Sequence, residues 1–205
     1  MTDQTTATSL MKRSPSKVEP TFTAPYGDNI HISKHPVLSH KLSILRSSST
    51  TPSVFRSVLR EITFHLGYEA TSTLLTRDIP ITVPAASNSN VAMNTNGLGS
   101  SDDHHIESTG QKLSQKLALI PILRSGLGMV DSMLELVDNA TVHHIGMYRS
   151  KHSLMPVQYY NRLPKVCDVD VAYVLDVCIA GGNTIISVVG ILKKVCLITF
   201  CAYMF

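Results

Sequence analysis

From residue 116 to the end of the chain, apolar strands, short loops of small or polar residues, and amphipathic helices follow one another repeatedly. The patterns predict strands over residues 116–122, 142–148, 158–163, 171–175 and 196–203, and helices over 129–136 and 184–194. Such alternation is typical of an α/β fold, in which a parallel sheet is flanked by helices on both faces. Ligands of these sheets bind at the carboxyl ends of strands, so the loops after residues 122, 148 and 175 are the first candidates for a site.

The first half of the chain is organised differently. Residues 1–30 are rich in Thr, Ser and Pro without a hydrophobic period, which predicts a disordered tail before a domain over residues 31–205. Apolar residues at three- and four-residue spacing then indicate a short helix over 37–46 and a longer one from 52 to about 75. The segment 84–115 is dominated by Ser, Asn, Asp and Gly, and we expect a disordered loop inserted at the surface.

The composition argues against several classes of protein. The formal net charge of the 205 residues is +3 and the basic residues are scattered, so we expect no nucleic-acid partner. The apolar run over residues 195–205 is shorter than the roughly 18 residues that a membrane span needs. No hydrophobic signal-peptide region occurs near the start. We therefore expect a cytoplasmic protein outside the membrane.

The four cysteines show no spacing that suggests metal binding. They are Cys167, Cys178, Cys196 and Cys201, and no Cys-x-x-Cys pair occurs among them. Their neighbours are apolar, which favours reduced and mostly buried thiols. We predict no residues that hold a metal by themselves.

The loop from Asp176 to Thr184 has the composition of a phosphate site. An apolar strand ends in Asp176, small residues follow, and a helix opens at Asn183 or Thr184. Small residues let backbone N–H groups approach a phosphate, and the helix amino end adds a favourable dipole. A carboxylate just before such a loop suits the hydroxyls of a sugar phosphate. A structural glycine turn, with Thr184 as a capping residue, explains the same letters and stays open.

Two arginines follow neighbouring predicted strands. Arg124 comes after the strand 116–122 and precedes two glycines, while Arg149 ends the strand 142–148. A guanidinium in this position can bind two oxygens of a pyrophosphate, although a surface arginine on a tight turn is the simpler alternative. The convergence of three strand ends on one polyanion favours the ligand interpretation.

Several segments together resemble one known family. Ala118-Leu-Ile-Pro-Ile-Leu-Arg-Ser-Gly-Leu-Gly-Met-Val-Asp131 resembles the uracil phosphoribosyltransferase signature, a strand followed by Leu-Arg-Ala-Gly-Leu-Gly-Met. His144-Ile-Gly-Met-Tyr-Arg149 and the later Met155-Pro-Val-Gln-Tyr-Tyr160 are similar to the family as well. The resemblance covers residues 30–83 and 116–205 and keeps the motifs in order. It implies a type I phosphoribosyltransferase fold with an N-terminal helical hood.

The resemblance also implies an activity and its residues. The family transfers phosphoribosyl from 5-phosphoribosyl-1-pyrophosphate (PRPP) to uracil, giving UMP and pyrophosphate, with magnesium bound to PRPP. GTP is implied as a possible activator, and a homo-oligomer (dimer or tetramer) as the assembly. Arg124 and Arg149 would hold the pyrophosphate, and Asp176 would be the catalytic residue on the ribose hydroxyls. The implied 5′-phosphate site consists of Ala180, Gly181, Gly182, Asn183 and Thr184.

This sequence departs from the family in two places. The family's loop reads Ala-Thr-Gly-Gly-Ser, and this chain has Gly181 in place of the Thr. We expect the loss of that hydroxyl to weaken PRPP binding. Thr184 keeps the hydroxyl of the family's usual Ser. The family's uracil-binding segment, resembling Tyr-Ile-Val-Pro-Gly-Leu-Gly-Asp, has no counterpart before Phe205. The C-terminal part of the fold is therefore expected to be missing, and the uracil-binding residues remain unknown. A catalytically inactive relative, which binds a phosphate ligand or pairs with an intact subunit, is the alternative.

Overall fold

The structure is a computed structural model that describes residues 30–84, 105–151, 153, 155–164, 168–195 and 199–203. The chain divides into two units, 1–32 and 33–205, and only residues 30–32 of the first unit are described. The expected tail over 1–30 therefore lies almost wholly outside the described residues. Within the described part of the chain, no helix is long and apolar enough to cross a membrane.

The second unit begins with two helices, which form the predicted helical region. Helix α1 spans Pro36–Arg46 and α2 spans Pro52–Thr71. Thr51 caps α2 by accepting a hydrogen bond from the backbone N–H of Val54, and Pro52 suits the first helical turn. The prediction extended α2 to about residue 75, but the Ser72 hydroxyl donates to the Glu69 carbonyl and the helix ends there.

An antiparallel pair of strands follows α2, and its second strand lies within the segment that the sequence predicted as a loop. Strand β1 (Thr76–Pro84) pairs with β2 (His105–Leu113), from Thr76 opposite Leu113 to Pro84 opposite His105. The prediction of one loop over 84–115 is therefore wrong for residues 105–113, while 85–104 lie outside the described residues. The composition of β2 suggested a loop because its residues are largely polar and exposed. The strand forms through pairing with β1 and not through burial in a core.

The remaining strands form the main sheet, whose order is β6-β5-β3-β7-β8, with a short β4 also paired to β3. The elements are β3 (Leu117–Leu123), α3 (Leu127–Leu136), β4 (Thr141–Val142), β5 (Ile145–Arg149), β6 (Pro156–Asn161), β7 (Val171–Leu175), α4 (Asn183–Val195) and β8 (Thr199–Tyr203). Strands β4, β5 and β7 run parallel to β3, and β8 runs parallel to β7, whereas the edge strand β6 is antiparallel to β5. The predicted parallel sheet with flanking helices is confirmed, while the strand predicted over 158–163 is antiparallel to its neighbour and the strand predicted over 142–148 is divided in two.

Helices cover both faces of this sheet. Leu119, Tyr173 and Leu175 point to one face and pack with Met129 and Met133 of α3. Ile120, Val174 and Ile145 point to the other face and pack with Val188 and Leu192 of α4. Strands β3 and β7 are buried on both faces, as their continuous apolar sequences predicted.

The turn between β3 and α3 approaches the end of β7 closely at Gly126. A Cβ atom added there would lie 2.3 Å from the carbonyl oxygen of Leu175 and 2.7 Å from the nitrogen of Ile122. Both neighbours are backbone atoms of buried strands, so neither can move away as a flexible side chain would. Glycine at this position brings the loop after β3 against the loop after β7.

Replacement of Gly126 by Ala is expected to lower the free energy of unfolding by about 2 kcal/mol or more, because the added methyl overpacks a backbone contact. Urea denaturation measures the change. Gly181→Ala is the matched control, since a Cβ at Gly181 meets nothing within 4 Å. Equal unfolding free energies for the two variants would contradict this account of the turn.

Candidate active site

Three neighbouring strands bring their carboxyl ends to one edge of the sheet. Strand β3 lies between β5 and β7, and all three are parallel. Leu123 of β3 pairs with Gly146 of β5, and Pro121 pairs with Leu175 of β7. Arg124, Arg149 and Asp176, at or just past the ends of these strands, therefore belong to the same edge, as the sequence predicted.

Arg124 lies in the tight turn that joins β3 to α3. The backbone of Leu127 donates to the Arg124 carbonyl at 3.2 Å, and Gly126 donates to the carbonyl of Ile122 at 2.9 Å. The Arg124 side chain is exposed, so the turn fixes the backbone while the guanidinium faces solvent. Such an exposed fork is free to bind an anion.

Arg149 is the last residue of β5, which lies on the side of β3 opposite to β7. It is exposed and pairs with Pro156 of the antiparallel β6, which holds its backbone in the sheet. Within the described residues, no hydrogen bond or ion pair connects Arg149 or Arg124 with Asp176. The sheet brings the two arginines to one edge without tying them to the carboxylate.

Asp176 directly follows β7 and is buried, with 8% of its surface exposed. Its Oδ1 accepts a hydrogen bond of 2.7 Å from the hydroxyl of Ser125, in the turn after β3. Buried carboxylates need such partners because desolvation is costly. The contact joins the loops after β3 and β7, the two loops that carry Arg124 and Asp176.

The small-residue loop leads from Asp176 into the amino end of α4, which begins at Asn183. Gly182 has a φ of 74°, which glycine adopts without strain. Its carbonyl accepts from the backbone of Ile186 at 3.0 Å, which starts the helix. Ala180, Gly181 and Asn183 are exposed and Thr184 is half-buried, so the loop presents small residues and a helix amino end to solvent.

Among the described residues, two side chains with a shifted pKa lie away from this edge. A hydrogen bond to Asp168 raises the pKa of Lys116, which precedes the amino end of β3. Burial, and secondarily the neighbouring His144, lower the pKa of His143, which precedes β5. Neither group belongs to the candidate site.

Other side chains are arranged differently from what the sequence predicted, or were not predicted at all. Cys178 is exposed in the loop after β7, so the expectation of buried thiols is wrong there, and the side chains of the other three cysteines lie outside the described part.

The described residues contain no group of three side chains that could hold a metal ion. Sequence reasoning did not assign a role to Ser125, although a hydroxyl beside Arg124 was a visible signal.

The sheet is mainly parallel, polar loops gather beyond three adjacent strand ends, and a helical region precedes the sheet. This arrangement is that of a type I phosphoribosyltransferase fold. The family model described as uracil phosphoribosyltransferase matches residues 32–202. The chain therefore belongs to the uracil phosphoribosyltransferase family.

Curated relatives with that name resemble most of the chain. The uracil phosphoribosyltransferase of Roseiflexus castenholzii is 39% identical over 165 residues, which cover 80% of this chain and 70% of the relative. That of Streptococcus pneumoniae is 39% identical over 167 residues, with the same two coverages. Among solved structures, the AQ2163 protein from Aquifex aeolicus has a TM-score of 0.64 at 26% identity, covering 84% of this chain and 74% of that one.

Proposed function

We propose that this chain transfers the phosphoribosyl group of PRPP to uracil, giving UMP and pyrophosphate. Membership of the family supports the reaction. The observation that carries the site assignment is the shared edge of β5, β3 and β7, from which Arg124, Arg149 and Asp176 extend. An anionic sugar phosphate is the ligand that two arginines, a carboxylate and a helix amino end suit together.

Each part of the edge suits one part of PRPP. We assign the pyrophosphate to the exposed guanidinium groups of Arg124 and Arg149, because each can donate two parallel hydrogen bonds to phosphate oxygens. Asp176 would accept from the ribose hydroxyls, which are donors. The loop over residues 180–184 would bind the 5′-phosphate through backbone N–H groups, the α4 dipole and the Thr184 hydroxyl.

The chemical step requires no covalent intermediate with the protein. The bond from C1 of the ribose to pyrophosphate breaks, a bond from C1 to a uracil nitrogen forms, and the nitrogen releases its proton to solvent. The protein must align the two reactants and stabilise the charge on the departing pyrophosphate. The two arginines supply that positive charge in the proposed complex.

Magnesium fits this site as part of the ligand. Mg²⁺ prefers oxygen ligands and usually binds one or two carboxylates together with substrate phosphates and water. The described residues hold no group of three protein ligands, but the buried carboxylate of Asp176 lies at the proposed ribose position. Asp176 is therefore the residue that would approach a Mg²⁺ carried by PRPP, and the ion would offset phosphate charge.

The family resemblance supports three further proposals about the enzyme as a whole. We propose that it works in the cytoplasm, that it forms a homodimer or homotetramer, and that GTP activates it. Light scattering measures the assembly, and rates with and without GTP test activation. A monomer, or a rate unaffected by GTP, contradicts the corresponding proposal.

Calorimetry with PRPP and Mg²⁺, run beside a radiolabelled uracil assay, tests the proposed function. Saturable PRPP binding together with PRPP-dependent UMP formation supports it. Binding without UMP supports the alternative of a relative that keeps the phosphate site and lacks turnover. Absence of both binding and UMP refutes the assignment of the site and the activity.

Replacement of Gly181 by Thr is expected to tighten PRPP binding about tenfold, because a hydroxyl that donates to a charged phosphate contributes about 1.5–3 kcal/mol. The structure leaves room for it, since a Cβ at Gly181 meets nothing within 4 Å. Calorimetry measures the dissociation constant. Gly181→Val is the control with the same shape and no hydroxyl, and equal affinities for the two variants would contradict a phosphate at this loop.

A further inference from the structure

The hydroxyl of Ser125 is the hydrogen-bond donor to Asp176, and the two residues lie 51 positions apart in the chain. Ser125 itself is exposed in the turn after β3, whereas Asp176 is only 8% exposed. Within the described part of the chain, no second hydrogen bond or ion pair to the Asp176 carboxylate is present. One carboxylate oxygen therefore has a protein partner, and the other is left to accept from a ligand.

The backbone keeps this hydroxyl within reach of the carboxylate. Gly126, the next residue, lies against the Leu175 carbonyl, so the turn after β3 cannot move away from the end of β7 without breaking that contact. The backbone of Gly128 donates to the Ser125 carbonyl at 3.1 Å, which fixes Ser125 at the start of α3. The donor is thus held at the start of α3 and the acceptor at the end of β7.

We propose that Ser125 is a positioning residue for PRPP, which orients Asp176 so that the free carboxylate oxygen accepts from the ribose hydroxyls. This inference rests on the function proposed above and adds a residue to it. A carboxylate held at one oxygen loses less rotational freedom when a ligand binds the other oxygen, so part of the cost of ordering is met before binding.

The role of Ser125 is specific to one part of the ligand. Pyrophosphate without Mg²⁺ has neither ribose hydroxyls nor an ion for the carboxylate and would use the arginines without Asp176. Ser125→Ala is therefore expected to weaken PRPP binding about tenfold, the value of one charge-assisted hydrogen bond, and to leave pyrophosphate binding unchanged. Ser125→Thr, which keeps the hydroxyl, is expected to restore PRPP affinity.

The test measures dissociation constants of PRPP with Mg²⁺ and of inorganic pyrophosphate without Mg²⁺, for the parent chain and both variants. Asp176→Asn and the double variant Ser125→Ala/Asp176→Asn complete a cycle, in which the serine change is expected to cost less PRPP affinity once the charged carboxylate is replaced by a neutral amide. Retained pyrophosphate binding also shows that Ser125→Ala is folded.

The outcomes separate this inference from the proposed function. If the parent chain binds neither ligand, the proposed site is wrong and this role falls with it. If the parent binds both and Ser125→Ala keeps full PRPP affinity, the positioning role alone is overturned. Equal weakening of PRPP and pyrophosphate also overturns it, because Ser125 then contacts the pyrophosphate or supports the fold.

Discussion

Asp176→Asn is expected to lower the rate of UMP formation from PRPP about a hundredfold, since two charge-assisted hydrogen bonds to ribose hydroxyls would become weaker neutral ones. The carboxylate is buried at the end of β7, where a charged acceptor is held without competition from bulk water. Asn has nearly the same shape, so packing should survive. The radiolabelled uracil assay gives the rate, and calorimetry gives the accompanying loss of PRPP affinity.

Asp168→Asn is the matched control. Asp168 is exposed, pairs with Lys116 and precedes the amino end of β7, opposite the proposed site. An exposed ion pair of this kind contributes about 0–1 kcal/mol, so the control should change neither stability nor rate appreciably. If Asp176→Asn keeps the parent rate, the ribose assignment is wrong.

Arg124→Ala is expected to reduce turnover by about a hundredfold or more, because it removes a charge that stabilises the departing pyrophosphate. Arg124 is exposed, so truncation creates no cavity in the core, and the unfolding free energy should change little. Arg124→Lys keeps the charge but loses the two-pronged geometry, and an intermediate rate is expected. The uracil assay at saturating and at low PRPP separates turnover from affinity.

Arg162→Ala provides the comparison for Arg124. Arg162 follows β6 and donates its backbone N–H to the His144 carbonyl, on the amino side of β5. It therefore lies at the opposite edge of the sheet and should tolerate truncation. Comparable losses in Arg124→Ala and Arg162→Ala would indicate a general electrostatic effect and would remove the reason to assign pyrophosphate to Arg124.

The sequence predicted the central strands and helices correctly because the burial of apolar residues determines where they form. Strands β3 and β7 consist of consecutive apolar residues that are all or nearly all buried. Such continuous apolar runs are typical of strands in a sheet that is covered on both faces. Helix α2 has a capping Thr51, Pro52 in its first turn and a regular apolar face, three agreeing signals for one helix. Local pattern and tertiary environment agree at these positions.

The sequence failed where pairing, rather than burial, determines structure. Strand β2 is polar and exposed along most of its length, so composition alone suggested a loop. Its partner β1 alternates Ile79, Ile81 and Val83 with other residues, which was a usable but weak strand signal. The antiparallel direction of β6 likewise depends on its neighbour β5 and has no signature in its own residues.

The positions at the candidate edge were predictable, whereas the contacts among them were not. A residue that follows a buried strand must lie at the sheet edge, and this placed Arg124, Arg149 and Asp176 together. The bond from Ser125 to Asp176 depends on the register of β3 against β7, and on the closeness that Gly126 permits. Neither can be read from sequence spacing, because the two residues are 51 positions apart.

A crystal structure of the chain with PRPP and Mg²⁺ tests the central claim most directly. The account predicts pyrophosphate oxygens within hydrogen-bond distance of Arg124 and Arg149, ribose hydroxyls on Asp176, and the 5′-phosphate at residues 180–184. PRPP bound away from the edge formed by β5, β3 and β7, or bound there with these three side chains turned away from it, would contradict the account.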